Sequence, residues 1–355
     1  MAPAGWRLFP CQGADSIIRY LLAFPLAAAI AASAATGQEA GVVRLDPRLD
    51  AIVDADAAVE KVAGGFKFTE GPVWFGNGRY LVFSDIPQNR MYRWDADSGD
   101  VTVYLERSGF TGTDPTGIGR EVKEGSEAFY NIGSNGATLD RQGRLVISAM
   151  GDRQIVRLEP NGGRTVLASH FDSKRLNSTN DLVYSSKGWL YFTDPPSGLR
   201  GGHDDPDKQL PFSGVFMIGD SGLQLVTNHV YHPNGVTLST DERYLFVNDN
   251  RARKIYRFEL LDDGTVFNMQ VFVDMKDDPG IGNPDGMKVD TEGNMYAAGA
   301  GGVWVISPAG EHLGTIQFPE RASNMTFGED DAKTLFVTAR TGLYRIRVNI
   351  PGIRP

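Results

Sequence analysis

The chain has almost no cysteine. Cys11 is the single cysteine among 355 residues, and it lies in an N-terminal stretch typical of a secretory signal. Once that stretch is removed, the protein has no disulfide, no thiolate nucleophile and no sulfur ligand for a metal. An exported protein without disulfides fits a bacterial periplasm.

The chain also lacks an excess of positive charge. Its 35 Lys and Arg residues are outnumbered by 44 Asp and Glu residues, which gives a net charge of −9 at neutral pH. Surfaces that bind nucleic acid are usually basic, so we expect no nucleic-acid partner.

Long hydrophobic runs are missing except near the N-terminus. Arg7 and Arg19 precede an apolar run over 20–32, and the small residues Ala32-Ser33-Ala34 follow. This order predicts a signal peptide over 1–34, and the run is short for a membrane span. We expect a periplasmic or secreted protein, free of the membrane after cleavage, that is a monomer or small homo-oligomer. Retention as an uncleaved anchor is the alternative.

Helical periodicity is absent, and six similar units of turn and strand replace it. Their turns lie 38 to 65 residues apart, near Gly78, Gly143, Gly188, Glu242, Gly293 and Asp331. Repeats of this length predict four-stranded blades, hence an all-β, six-bladed β-propeller over 59–350. The segment 59–65 is expected to supply the outer strand of the sixth blade, and 35–58 to be an N-terminal linker. The insertions 107–132 and 198–214 are predicted as long loops.

Glu70 suggests a site, because it is surrounded by apolar residues and a buried carboxylate needs a partner. Four oxygen-bearing side chains stand just before short apolar strands, where the blades of a propeller crowd around its channel: Glu70, Asn180, Asn234 and Asp285. Two carboxylates and two amides suit Ca²⁺, with Mg²⁺, Mn²⁺ or Zn²⁺ as alternatives. The competing interpretation is that Asn-Gly and Asp-Gly only form turns.

Four stretches carry a family resemblance: "EGPVW", "RLNSTNDLVYSSKGWLYFTDPPSG", "HPNGVTLSTDERYLFV" and "PDGMKVDTEGNMYAAGAGGVWV". Across about 60–348 the chain resembles the gluconolactonase and regucalcin (senescence marker protein) family of six-bladed propeller hydrolases. The resemblance implies that Glu70, Asn234 and Asp285 hold the metal. It also implies that Asn180 lies beside the metal and contacts substrate or water.

The resemblance implies metal-dependent hydrolysis of a sugar lactone, in which the cation polarises the carbonyl and activates water. Asp285 is the expected general base and Asp194 the second candidate, with Asn180 also in the catalytic set. His232 is a candidate for substrate binding and proton transfer. Asp181 is expected to be a structural hydrogen-bond acceptor.

The sequence departs from the family pattern at three places, and these differences bear on which substrate is preferred more than on metal binding. Many relatives have proline at the position of Thr179, an aromatic residue at Ser197, and a Cys-Glu-His stretch at 148–150. A serine-esterase site is not expected, because the chain has no Gly-x-Ser-x-Gly motif. The alternatives are another calcium-dependent ester or phosphoester hydrolase of this fold, and a non-catalytic ligand-binding propeller with a structural metal.

Overall fold

The computed structural model describes residues 39–124 and 127–355, with side chains for 39–121 and 128–355. The predicted signal peptide over 1–34 lies outside these residues. None of the helices in the described part of the chain has the length and apolar character needed to cross a membrane.

Short antiparallel strands account for nearly all of the regular structure. Two strands come before the first blade, β1 (Gly41–Arg44) and β2 (Glu60–Gly64). The first blade consists of β3 (Thr69–Phe75), β4 (Tyr80–Asp85), β5 (Arg90–Asp95) and β6 (Val101–Glu106). A hairpin of β7 (Glu121–Glu124) and β8 (Glu127–Tyr130) precedes the second blade, which consists of β9 (Ser134–Leu139), β10 (Leu145–Ala149), β11 (Gln154–Leu158) and β12 (Arg164–Ala168). A hairpin of β13 (His170–Phe171) and β14 (Lys174–Arg175) precedes the third blade, which consists of β15 (Leu182–Tyr184), β16 (Leu190–Asp194), β17 (Gly214–Gly219) and β18 (Gly222–Thr227).

The last three blades follow without inserted hairpins. Their strands are β19 (Pro233–Leu238), β20 (Tyr244–Asp249), β21 (Lys254–Leu260), β22 (Val266–Asp274), β23 (Met287–Val289), β24 (Met295–Gly299), β25 (Gly302–Ile306), β26 (His312–Gln317), β27 (Ala322–Gly328), β28 (Thr334–Ala339) and β29 (Gly342–Arg347). Each blade is a sheet whose strands pair in chain order, so the prediction of an all-β, six-bladed β-propeller is confirmed.

The ring of blades is closed by an early segment of the chain. Strand β2 pairs with β29, with Glu60 opposite Arg345, and so becomes the outer strand of the sixth blade. The first and last parts of the propeller are therefore held in one sheet. This is the closure expected from the segment 59–65.

The segment predicted as a linker, 35–58, needs correction. Strand β1 pairs with β26 and adds a fifth strand to the fifth blade. A 3₁₀ helix, Pro47–Ala51, then places Leu49 and Val53 in the core with no exposed surface. Residues 41–53 therefore belong to the propeller. The insertion predicted as a loop, 107–132, also contains regular structure, the hairpin of β7 and β8.

Six hydrophobic clusters hold the blades together, one between each pair of neighbouring blades. Successive residues of a strand point to opposite faces of its sheet. On β4, Val82 therefore packs toward the second blade, whereas Leu81 and Phe83 pack toward the sixth. Both faces are buried, which explains why the sequence of this strand, Tyr80-Leu81-Val82-Phe83, is a continuous apolar run.

Candidate functional site

The inner ends of the six blades form one polar ring. The first strands of neighbouring blades contact one another all the way around the propeller. Their starting residues share one pattern, a side chain with oxygen followed by glycine or a second polar residue: Glu70-Gly71, Asn135-Gly136, Asn180-Asp181, Asn234-Gly235, Asp285-Gly286 and Ser323-Asn324. We call these pairs the channel ring.

Glycines in the channel ring allow the blades to approach closely. A Cβ atom on Gly71, whose φ is +49°, would lie 2.1 Å from the backbone oxygen of Asn135. A Cβ on Gly235 would lie 2.2 Å from the backbone oxygen of Asp285. Real Cβ atoms do not come this close to backbone, so a side chain at either position would push two neighbouring blades apart.

Hydrogen bonds between blades fix the backbone of the ring. The Ser84 hydroxyl donates to the backbone oxygen of Asn135 at 3.0 Å, from the first blade to the second. The Thr193 hydroxyl donates to the backbone oxygen of Asn234 at 2.6 Å, from the third blade to the fourth. Each donor sits on a second strand, so rigid sheet elements support the ring residues.

Three carboxyl groups of the ring are buried near one another: those of Glu70, Asp181 and Asp285. Burial raises the pKa of Glu70 to about 7; the Gly71 amide opposes this rise and the charge of Asp181 adds to it. Burial, followed by the charge of Glu70, raises the pKa of Asp285 well above its ordinary value. Burial also raises the pKa of Asp181. The site thus concentrates acidic groups that ionise readily only if a positive charge is nearby.

Amide side chains complete the ring. The Asn234 side chain lies close enough to Asp285 to oppose the rise of its pKa, and the Asn324 side chain does the same for the pKa values of Glu70 and Asp181. Asn180 is buried beside Asp181, and its backbone oxygen accepts a hydrogen bond from Gly136 N at 2.8 Å. The four predicted site residues are therefore parts of one ring.

Sequence reasoning missed some ring residues. Asn135 stands in "SNGATL", which repeats the pattern of "PNGVTL" around Asn234, so the signal was available. Asn324 in "ASNMTF" has no following glycine and gave no such signal. Asp181 accepts from the backbone N–H groups of Leu182 and Val236, as a structural acceptor does. Its effect on the pKa values of Glu70 and Asp285 places it in the site as well.

The ring chemistry fits a hard divalent cation. Within the described residues, no group of three or more His, Cys, Asp and Glu side chains is arranged so that it could hold a metal ion, so any site here would also need the amide oxygens. The ring mixes carboxylates with amides, and all of these donor atoms are oxygens of the kind that Ca²⁺ and Mg²⁺ prefer. Acidic groups that share a buried site need either a proton or a compensating cation.

Asp194 does not belong to the ring. It is fully buried at the end of β16, where its two carboxyl oxygens accept from the backbone N–H groups of Asn177 and Ser178 at 2.7 and 2.9 Å. Asp85 and Asp249 cap the loops before their own blades in the same way. This environment argues against the general-base role considered for Asp194 and assigns it a structural one.

His232 lies at the channel mouth, two residues before Asn234. Its Nε2 is 2.9 Å from the Ser197 hydroxyl and its Nδ1 is 2.9 Å from His203 Nε2. Burial, with smaller effects from His203 and Arg251, lowers the pKa of His232 to about 4. The imidazole is therefore neutral at pH 7, with both nitrogens engaged. His203, expected in a solvated loop, is part of this hydrogen-bonded chain.

A cavity of 570 Å³ opens beside His232. Its lining includes His203, Tyr231 and Asn250. The Asn250 side chain donates to the backbone oxygen of Pro284 at 3.0 Å, next to Asp285. The cavity is therefore connected to the residue before Asp285, although none of the channel-ring residues lines it. Its volume suits a small-molecule ligand.

Comparison with known proteins finds relatives whose names agree on hydrolysis of lactones. Residues 68–341 match the family described as the SMP-30/Gluconolactonase/LRE-like region. A gluconolactonase from Zymomonas mobilis is 35% identical over 321 residues, which cover 88% of this chain and 87% of that protein. A pentonolactonase from Haloferax volcanii is 27% identical over 278 residues, covering 77% and 81%.

Solved structures share the fold. A gluconolactonase from Xanthomonas campestris superposes with a TM-score of 0.73 at 28% identity, covering 88% of this chain and 96% of that one. A calcium-binding regucalcin from Agrobacterium tumefaciens gives a TM-score of 0.66 at 17% identity, covering 84% and 97%. At that identity, the second similarity shows the fold alone.

Proposed function

The chain belongs to the SMP-30/gluconolactonase/LRE-like family and is a lactone-hydrolysing enzyme, and we propose that it hydrolyses a sugar lactone at the channel ring with a bound divalent cation. The observation that carries this proposal is the meeting of Glu70, Asp181 and Asp285 with amide side chains beside an open cavity. A lactone is a strained ester, so its hydrolysis needs a polarised carbonyl and an activated water.

The residues that would hold the cation are Glu70, Asn234 and Asp285, with Asn180 beside them. Ca²⁺ is the ion proposed, because all of these ligands are oxygens and the set includes two carboxylates. When bound, such a cation polarises an ester carbonyl and lowers the pKa of water.

The chain's own groups supply the remaining chemistry. We assign Asp285 as the general base, because among the three carboxyl groups of the ring it keeps the most exposed surface and can therefore reach a water molecule. The Asn180 amide can donate to a substrate oxygen and orient it. His232 is placed to contact the substrate from the cavity side.

The test is hydrolysis of a panel of lactones by the purified protein, with and without a chelator. We expect hydrolysis of D-glucono-1,5-lactone or a related sugar lactone that stops after chelation and returns with Ca²⁺. Activity that persists after complete metal removal would contradict the role of the cation. Activity on aryl esters or phosphotriesters with none on lactones would favour the other hydrolases considered for this fold.

We also propose that the protein is exported, from the signal-like residues 1–34. N-terminal sequencing of protein from its native host should give a first residue near Ala35. Mature material that still begins at Met1 would contradict cleavage.

A further inference from the structure

Three arginines from distant parts of the chain line the cavity beside the channel ring. Arg120 comes from the insertion between the first two blades, Arg200 from the insertion in the third blade, and Arg251 from the turn after β20. We propose that this cavity is an anion subsite, and that the preferred lactones carry a phosphate or carboxylate far from the ring ester. This inference rests on the proposed lactonase function and specifies its substrate class.

The charge of the cavity contrasts with that of the whole chain. The protein has a net charge of −9, yet the cavity lining has three arginines and a single acidic residue, Asp204. Such a local reversal of charge attracts anions into the cavity. A neutral sugar lactone has no group that would need it.

The arginines are free to bind a ligand. Among residues 39–121 and 128–355, no salt bridge or side-chain hydrogen bond involves the guanidinium groups of Arg120, Arg200 or Arg251. Several other surface arginines are paired, as Arg48 is with Glu311 and Arg347 with Asp331, both within 2.7 Å. A guanidinium group offers a planar fork of donors that matches phosphate and carboxylate oxygens.

The loop that carries Arg200 is fastened to the propeller. Arg153 donates to the backbone oxygen of Asp207 at 3.0 Å, and the backbone N–H of Gly198 donates to the Ser178 hydroxyl at 2.7 Å. His203 of this loop is bonded to His232 at 2.9 Å. The backbone of the loop is therefore held beside the cavity, which limits the space that the Arg200 side chain can sample.

The subsite lies within reach of the channel ring. His232 and Asn250 line the cavity, and each is connected to a ring residue, His232 along the chain to Asn234 and Asn250 through its bond to Pro284. Both the start of a first strand and the end of a second strand lie at the same end of an antiparallel blade. One substrate can thus present its ester to the ring and its charged end to the arginines.

The first experiment compares three matched lactones on the full-length protein with Ca²⁺: D-glucono-1,5-lactone, its 6-phosphate ester, and the corresponding lactone with a 6-carboxylate. The quantity measured is selectivity, the ratio of kcat/KM for each anionic lactone to that for the neutral one. We expect wild type to favour an anionic lactone, and Arg200→Met or Arg251→Met to lower its selectivity about tenfold.

Arg243→Met is the matched control. Arg243 is an exposed arginine of the same blade at the opposite end of β20, so this variant removes the same charge away from the cavity. Its selectivity should equal that of wild type. A wild-type enzyme that prefers the neutral lactone, or equal loss of selectivity in Arg243→Met, would overturn the inference. Preference for one anionic lactone over the other identifies the anion.

A binding experiment separates this inference from the proposed function. The chelator-treated protein is titrated calorimetrically with neutral D-glucose, with D-glucose 6-phosphate and with D-glucuronate. Tighter binding of either anionic sugar that is lost in Arg251→Met supports the subsite, even if no lactone is hydrolysed. Equal binding of all three sugars would refute the subsite without touching the lactonase proposal.

Discussion

Glu70 is the residue whose charge depends most clearly on a partner. It is buried, and its pKa of about 7 without a cation means that a proton competes for the site. Glu70→Gln keeps the shape and one oxygen but removes the charge, so we expect it to weaken Ca²⁺ binding at least about tenfold. Calcium titration and elemental analysis after dialysis would measure the change.

Glu106→Gln is the control for this substitution, because Glu106 lies on the exposed outer strand of the same blade. It should bind Ca²⁺ like wild type. Unchanged metal content in both Glu70→Gln and Asp285→Asn would remove the basis for a cation in the channel ring.

Asp285 has two assigned roles, metal ligand and general base, and one variant can separate them. An amide at this position cannot accept a proton from water. With saturating Ca²⁺, we therefore expect the kcat of Asp285→Asn on gluconolactone to remain about 10²- to 10⁴-fold below that of wild type. The rate must be corrected for the fast spontaneous hydrolysis of this lactone. Recovery to within a few-fold of wild type would leave Asp285 as a ligand only and direct attention to His232.

At this scale the sequence was informative where a residue sits in a repeated context. Glu70, Asn180, Asn234 and Asp285 could be predicted because each precedes a short apolar strand. Asp194 also sits beside a strand, but at the end of a second strand, where its oxygens cap a loop. A linear pattern does not show which end of which strand faces the channel.

Among the elements of the fold, the N-terminal segment was the least predictable from the sequence. "GVVR" is short, and it becomes β1 only because β26 offers an unpaired edge. Tertiary context decides such a strand more than its own propensity does. The outer strand β2 could be predicted because the sixth unit of the sequence has no fourth strand of its own, and residues 59–65 belong to no other unit.

The packing of this segment gives a stability prediction. Leu49 is fully buried in the cluster between the fifth and sixth blades. Leu49→Ala should therefore lower the free energy of unfolding by about 2–5 kcal/mol, whereas Leu45→Ala, at a side chain 60% exposed, should change it by less than about 0.5 kcal/mol. Denaturant unfolding of both variants measures the difference. Equal, small effects would mean that residues 41–53 are dispensable to the fold.

For the whole molecule, six repeated sheets bring acidic groups from distant blades to one axis. Folding therefore buries carboxyl groups whose pKa is raised, above all Glu70 and Asp194, each to about 7. A pKa raised by folding means that the folded state holds the proton more tightly than the unfolded chain. That contribution to stability is fully present below the ordinary pKa of about 4 and is lost as the pH rises through 7.

The free energy of unfolding of the chelated protein should accordingly fall between pH 6.5 and 8, by roughly 1 kcal/mol for each such carboxyl group. The buried histidines oppose part of this fall, because they are neutral in the folded state but still bind protons near pH 6.5 in the unfolded chain. Their contribution is the same with and without Ca²⁺, so it cancels when the two slopes are compared. With Ca²⁺ the fall should be smaller, because the cation stabilises the ionised form of Glu70 and Asp285. Asp194 lies outside the ring, so its contribution to the fall in unfolding free energy should be the same with and without Ca²⁺.

Denaturant unfolding at four or five pH values, with chelator and with Ca²⁺, measures both slopes. Glu70→Gln provides the internal test, since it removes the ring carboxyl group while leaving Asp194 in place. We expect the stabilisation by Ca²⁺ to grow with pH in wild type and to be much weaker in this variant. Parallel slopes with and without Ca²⁺ would show that the raised pKa values of the ring are not linked to a cation, and the channel would then be a polar core that holds protons instead.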